Sequence, residues 1–134
     1  MTSASARALA DLGREAFVSL TTFRRSGAAV STPVWIARDG DALVVTTPSG
    51  SGKVKRIRHT PRVELRPCSR TGKVPTGAPA AEGIAQIVED PAERDRLTGA
   101  VRRKYPVEFR VVMLVERILG RHRAPRVILR ILPA

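Results

Sequence analysis

The chain has 134 residues, of which 24 are lysine or arginine and 12 are aspartate or glutamate, so its formal net charge is +12. This length predicts a single domain over residues 1–134, and the basic balance favours an anionic partner such as nucleic acid, a membrane surface or a phosphorylated small molecule. One cysteine excludes an intrachain disulfide, and no spacing of histidines with it predicts a metal site. Without a signal-peptide pattern or an apolar run near the ~20 residues that span a bilayer, we expect a soluble, cytoplasmic protein.

The first half of the chain predicts one helix followed by an antiparallel meander. Apolar spacing and a following glycine indicate a short helix over residues 3–12. Three stretches rich in β-branched and apolar residues, 17–23, 29–38 and 43–47, predict strands joined by short turns containing Gly, Ser and Asp. A basic helix is expected over residues 53–59.

The second half predicts three more strands and a long helical region. Strands are expected over residues 62–68, 82–88 and 126–132. A capping box with Asp90 as its first residue opens a helix that Pro106 interrupts near residue 105, and helical spacing then continues to Gly120. The fold is therefore predicted as mainly β, of the α+β class: six antiparallel strands in a closed or half-open barrel with flanking helices.

A strand-to-helix junction in the middle of the chain carries the pattern of an anion site. The strand ends in Thr46 and Thr47, a Gly/Ser loop follows over residues 48–52, and the helix begins with Lys53 and reaches Arg56 one turn later. Glycines allow close backbone approach, N–H groups at a helix start point toward an anion, and the cations neutralise it. The pattern is not a Walker A loop, and the alternative is a solvated loop beside a basic surface helix.

This junction and several other segments resemble the split β-barrel flavin and deazaflavin oxidoreductases related to pyridoxamine 5′-phosphate oxidase. The resemblance is closest to the branch that uses the deazaflavin coenzyme F-420, and it runs over most of the chain in the family's order. The segments that carry it are Phe17-Val18-Ser19-Leu20-Thr21-Thr22, Thr32-Pro33-Val34-Trp35, Lys53-Val54-Lys55-Arg56-Ile57-Arg58, Pro61-Arg62-Val63 and Arg103-Lys104-Tyr105.

The resemblance implies a six-stranded split β-barrel and a homodimer with two cofactor sites at the subunit interface. The residues implied in phosphate binding are Thr46 or Thr47, Ser51, Lys53 and Arg56. Backbone around Pro33, Val34 and Trp35 would line the ring, and Lys55 would reach the acidic tail of F-420. Gly52 stands in a turn where many relatives carry arginine, which implies that one phosphate contact is missing or replaced. No arginine set for a substrate phosphate can be mapped and the chain is short, which argues against pyridoxamine phosphate oxidation.

The expected function is an oxidoreductase that binds F-420 and transfers hydride between its deazaflavin ring and an unsaturated small organic substrate. No catalytic side chain is predicted, because the cofactor carries the redox chemistry. Two alternatives stay open: an FMN-binding oxidoreductase of the same fold, and a non-catalytic basic barrel that binds nucleic acid. The 5 aromatic residues do not cluster as stacking platforms, which counts against nucleic acid.

Four features have competing interpretations. Trp35 could stack on a cofactor ring or fill a barrel or dimer interface. Cys68 is predicted to be a buried small apolar residue and not a nucleophile, and His59 to be a surface residue at a helix end and not an anion contact. The apolar face of residues 107–120 favours core or dimer packing over membrane association. No role is assigned to the C-terminal arginines Arg117, Arg121, Arg123, Arg126 and Arg130.

Overall fold

A computed structural model describes residues 4–119 and 126–134, in which seven strands form one sheet. The strands are β1 (Val18–Phe23), β2 (Ala29–Val34), β3 (Ala37–Asp39), β4 (Ala42–Pro48), β5 (Arg62–Pro67), β6 (Ala81–Val88) and β7 (Arg126–Pro133). The helices are α1 (Ala4–Asp11), α2 (Gly52–His59), α3 (Pro91–Lys104) and α4 (Pro106–Ile118). The spatial order is β2-β1-β5-β6-β7-β4-β3, and every neighbouring pair is antiparallel. The sheet curls into a half-barrel, which confirms the predicted split-barrel class.

Two apolar clusters hold the sheet and the helices together. The inner cluster joins α1, α2 and the barrel strands, and its fully buried members include Leu20, Val54 and Leu129. The outer cluster packs α3 and α4 against β3, β4 and β7 through residues such as Leu97 and Phe109. Because α2 is anchored by the inner cluster, its first turn is fixed against the ends of the strands.

The predicted strand count of six is wrong, because the strand expected over residues 29–38 is two strands. The sheet ladder of β2 ends at Val34, and β3 begins at Ala37 on the opposite edge of the sheet. Between them, the backbone N–H of Ile36 donates to the Tyr105 hydroxyl at 3.2 Å, and its carbonyl accepts from Lys104 Nζ at 2.6 Å. Side chains therefore satisfy these buried backbone groups in place of a strand partner.

The other predicted elements match the structure closely. Asp90 Oδ2 accepts from the Glu93 N–H at 3.0 Å and caps α3, and Tyr105 separates α3 from α4 as expected before Pro106. The predicted end of the second helix at Gly120 lies outside the described residues, as do Arg121 and Arg123.

The apolar face of α4 is exposed in this single copy of the chain. Its side chains are 47–73% accessible and comprise Val107, Val111, Leu114, Val115 and Ile118. In the segments that the structure describes, no helix is long and apolar enough to cross a membrane.

Candidate functional site

A cavity of about 290 Å³ lies where the ends of β2 and β4 meet the start of α2. Six of the ten predicted site residues line it: Pro33, Val34, Trp35, Thr46, Thr47 and Lys53. Four residues that were not predicted complete the lining: Phe17, Pro48, Val112 and Arg126. The folded chain thus brings the predicted ring-binding segment and the predicted anion-binding junction to one place, although they are separated in sequence.

Hydroxyl groups and the start of a helix form one end of the cavity. The buried Thr47 hydroxyl lies 3.1 Å from the Ser51 hydroxyl, across the turn that joins β4 to α2. Ser51 is the N-cap residue of α2, yet its side chain makes no hydrogen bond with the helix backbone. The first turn of α2 therefore lacks a side-chain cap, and its N–H groups have the polarity that suits an anion.

Lys53 brings an ammonium group to the cavity. Its side chain is half-buried and makes no hydrogen bond or ion pair with the residues that the structure describes. Burial lowers the pKa of Lys53 below 10.5, and the nearby charge of Arg56 lowers it further. An ammonium group withdrawn from water without a counter-charge is costly, so an anion in the cavity would offset that cost.

Ser51, Gly52, Lys55 and Arg56 do not line the cavity. The Arg56 side chain turns back toward the start of α2, where its Nε donates to the Thr22 hydroxyl at 2.7 Å. Its Nη1 lies 2.7 Å from the point that a Cβ at residue 52 would occupy, so the glycine leaves room for this guanidinium. Lys55 is exposed on a different side of the helix.

The rest of the cavity wall is largely apolar and partly aromatic. The Trp35 ring stacks on the ring of Tyr105, with centroids 5.0 Å apart and planes inclined by 12°. Trp35 therefore belongs to the outer core and to the cavity wall at the same time, and only the part of its surface away from Tyr105 is available to a ligand. Phe17, Val34 and Val112 add apolar surface beside it.

Arg126 is the most informative of the residues that sequence reasoning missed. The pairing of β4 with β7 sets it opposite Pro48, and its Nε donates to the Thr46 hydroxyl at 3.2 Å. Its Nη1 also pairs with Glu116 of α4 at 2.7 Å. The sequence had marked Arg126 only as one of several C-terminal arginines, because the register of β7 against β4 is a long-range property.

A larger groove of about 480 Å³ runs along α3 and α4, away from the strand ends. Its walls are apolar side chains such as Met113 and Leu114, bordered by Arg102, Arg110 and Arg117. Among the described residues, this lining contains no hydroxyl, amide or carboxylate side chain. The smaller cavity is the better candidate site because it combines strand-end hydroxyls, a helix start, an unpartnered ammonium and an aromatic wall. No cluster of metal-binding side chains occurs within the described residues.

Comparisons with known proteins agree with the fold. The family model of pyridoxamine 5′-phosphate oxidase matches residues 5–134. Among solved structures, a conserved hypothetical protein of Mycobacterium tuberculosis is similar, with a TM-score of 0.66, 22% identity, and coverage of 99% of this chain and 81% of that one. An F-420 reductase has a TM-score of 0.61 and 21% identity, with 92% and 90% coverage.

A FAD-binding protein from Mesorhizobium loti has a TM-score of 0.60 and 16% identity, and the match covers 99% of this chain and 90% of that one. At these identities the structural matches show the fold alone. No curated protein matches the sequence at a significant level. The family model, in contrast, spans nearly the whole chain, and the protein therefore belongs to the pyridoxamine 5′-phosphate oxidase family.

Proposed function

We propose that this protein is an oxidoreductase that binds coenzyme F-420 in the cavity between β2, β4 and α2. It would transfer hydride between the deazaflavin ring and an unsaturated small organic substrate. The observation that carries the proposal is Lys53, a half-buried cation without an acidic partner among the described residues, which faces a cavity with two strand-end hydroxyls. Membership of the family and similarity of fold to an F-420 reductase support the same ligand class.

The residues of the chain would bind and orient the cofactor. Lys53, Thr47 and the start of α2 would hold its phosphate. Arg56, whose side chain turns back toward the start of α2, would add positive charge nearby. Pro33, Val34 and Trp35 would lie along the ring. The bound deazaflavin supplies the hydride chemistry. The described lining contains no carboxylate, imidazole or thiol, so we assign no side chain to proton transfer.

We also propose that the active form is a homodimer with the cofactor at the interface. The cavity of about 290 Å³ lies just below the ~300–1,000 Å³ typical of ligand pockets, so a coenzyme as large as F-420 needs further walls. The exposed apolar face of α4 offers a surface that a second copy could cover, and Val112 of the same helix lines the cavity. A partner at α4 would therefore lie close to the cofactor.

Titration with purified F-420, followed by quenching of cofactor fluorescence, tests the proposal. We expect the wild-type protein to bind at micromolar concentration, and Lys53→Ala to bind roughly tenfold to hundredfold more weakly, the loss expected for a charge-assisted contact. Lys73→Ala is the matched control, because it removes the same charge from an exposed loop. Equal affinity for the wild type and Lys53→Ala would reject the proposed phosphate site.

FMN is the second candidate, because the cavity combines the apolar wall and the anion-binding end that both cofactors require. F-420 carries a carboxylate tail that FMN lacks. The exposed Lys55 is the residue that we propose meets this tail, so Lys55→Ala should weaken the binding of F-420 and leave the binding of FMN unchanged. Tighter binding of FMN than of F-420 to the wild-type protein would favour the second candidate.

A further inference from the structure

We propose that Tyr105 and Lys104 are positioning residues that hold the aromatic wall of the cavity in its binding geometry, with Tyr105 setting the orientation of Trp35. The inference rests on the proposed function, because it assigns these residues to the same cofactor cavity. Neither residue lines the cavity, and both lie at the boundary between α3 and α4. They would act on the cofactor only through the side chains that they hold.

The backbone of the Trp35–Ile36 segment is held by two side chains. It lies between the end of β2 and the start of β3, where no sheet ladder orients the backbone. The Tyr105 hydroxyl accepts the Ile36 N–H at 3.2 Å, and Lys104 Nζ donates to the Ile36 carbonyl at 2.6 Å. Both backbone polar groups of the residue after Trp35 are thus held by side chains from the end of α3.

The segment that leads into β1 carries Phe17, which also lines the cavity. The Tyr105 hydroxyl donates to the Ala16 carbonyl at 2.7 Å. Lys104 Nζ donates to the carbonyls of Gly13, at 2.9 Å, and of Glu15. The same two residues therefore fix the backbone directly before Phe17 and directly after Trp35, although these two segments are far apart in sequence.

The donors of Lys104 match the backbone acceptors around it. Lys104 has three N–H donors and contacts three carbonyls, those of Gly13, Glu15 and Ile36. It is partly buried and forms no ion pair with a described side chain. A lysine used in this way connects chain segments, and a methionine of similar length could fill its space without making any of the three bonds.

The Trp35 ring is restrained by the Tyr105 ring. It lies almost parallel to the Tyr105 ring, with centroids 5.0 Å apart, so one face of the indole is covered and its tilt is restricted. A binding wall must be held to within about half an ångström to be effective, and residues behind the wall supply that restraint. Tyr105 restrains both the backbone next to Trp35 and the indole ring.

The experiment uses Trp35 as its own reporter, since it is the only tryptophan in the chain. Tyr105→Leu removes the stacking and the hydrogen bonds, Tyr105→Phe keeps the ring, and Lys104→Met removes the three bonds to carbonyls. Phe109→Leu is the control, because it removes another buried ring from the same cluster. Each variant is measured for tryptophan emission and anisotropy without cofactor, for thermal midpoint, and for F-420 affinity.

We expect Tyr105→Leu to shift the Trp35 emission to longer wavelength, to lower its anisotropy and to weaken F-420 binding roughly tenfold. Tyr105→Phe should have the wild-type emission and lose only about threefold in F-420 affinity. Lys104→Met should lie between Tyr105→Leu and Tyr105→Phe in both emission and affinity. Phe109→Leu should lower the thermal midpoint without changing the emission. Unchanged emission and affinity in both Tyr105→Leu and Lys104→Met would overturn the inference.

Failure of the proposed function gives a different result. In that case the wild-type protein itself binds neither F-420 nor FMN, while the emission of the Tyr105 and Lys104 variants still reports on the wall. If Tyr105→Leu does not fold, the comparison of Tyr105→Phe with Lys104→Met decides the question. Native emission in both, together with native affinity, refutes a positioning role.

Discussion

The hydroxyls of Thr47 and Ser51 lie 3.1 Å apart and connect the end of β4 to the residue that precedes α2. Thr47 is only 2% exposed and Ser51 is the N-cap residue of α2, so this contact fixes the start of the helix against the end of the strand. The position of Lys53, two residues further on, depends on that junction. The geometry of the proposed phosphate site therefore depends on this hydroxyl contact as well as on the path of the loop.

The first prediction concerns this hydroxyl pair. Thr47→Val should weaken F-420 binding about threefold to tenfold, because the variant loses a hydrogen bond worth ~0.5–1.5 kcal/mol and a hydroxyl that faces the cavity. Isothermal titration calorimetry measures the affinity. Ser49→Ala, in the same turn but outside the cavity lining, serves as the control and should bind like the wild type. A Thr47→Val protein with native affinity would show that the hydroxyl does not contact the ligand.

The second prediction concerns the charge of Lys53. Burial and then Arg56 lower its pKa in the folded protein below 10.5, so the folded state releases this proton at lower pH than the unfolded state. The charged form therefore destabilises the ligand-free fold at neutral pH, and this penalty is relieved as pH rises through the lowered pKa toward 10.5. Lys53→Met should raise the thermal midpoint at pH 7 and weaken F-420 binding.

The pH dependence of binding provides a separate check on the same residue. An anion binds the protonated lysine, so the affinity of the wild-type protein for F-420 should fall as pH rises toward 10.5, while the affinity of Lys53→Met should vary less. Parallel pH profiles for the two proteins would contradict the assignment of Lys53 to the anion.

The third prediction concerns the ion pair between Arg126 and Glu116. Glu116 neutralises part of the Arg126 charge at the cavity, with both side chains about one quarter exposed. Glu116→Gln should strengthen F-420 binding about twofold to fivefold at low salt, since the guanidinium becomes available to an anionic ligand, and should cost about 0.5–1 kcal/mol of folding stability. Affinities measured at two salt concentrations test this. Weaker binding would mean instead that Glu116 holds Arg126 in place for the ligand.

The fourth prediction concerns the exposed apolar face of α4. Val111 is 54% exposed in the single copy, and a homodimer would cover it. We expect light scattering to show a dimer for the wild type, and Val111→Glu to shift the protein toward the monomer because it places a charge in the interface. Cofactor affinity should fall in parallel. Ala92→Glu, at the exposed start of α3, adds the same charge elsewhere and should remain dimeric. A monomeric wild type would refute the proposal.

Local patterns in the sequence were sufficient to predict most of the elements. The alternation of apolar residues indicated the strands, and the capping box at Asp90 predicted the start of α3, because both depend on nearby residues. The break at Ile36 was missed because its cause, the contacts with Lys104 and Tyr105, lies almost 70 positions away. The strand pattern alone cannot show that side chains, and not a neighbouring strand, form the hydrogen bonds with the Ile36 backbone.

Local sequence patterns likewise predict only part of the candidate site. Thr46, Thr47 and Lys53 are close in sequence, so the strand-to-helix pattern was enough to group them. Arg126 and Val112 reach the cavity only through the pairing of β7 with β4 and the path of α4, which no local pattern encodes. The helical period explains why Lys53 faces the cavity and Lys55 does not: two residues on a helix differ by about 200°.

A crystal structure of the protein with bound F-420 would show directly where the cofactor binds. We predict the cofactor phosphate within about 2.7–3.2 Å of Lys53 Nζ and the Thr47 hydroxyl, and the deazaflavin ring along Val34 and Trp35. A cofactor bound elsewhere, for example in the groove bordered by Arg102, Arg110 and Arg117, would contradict the account.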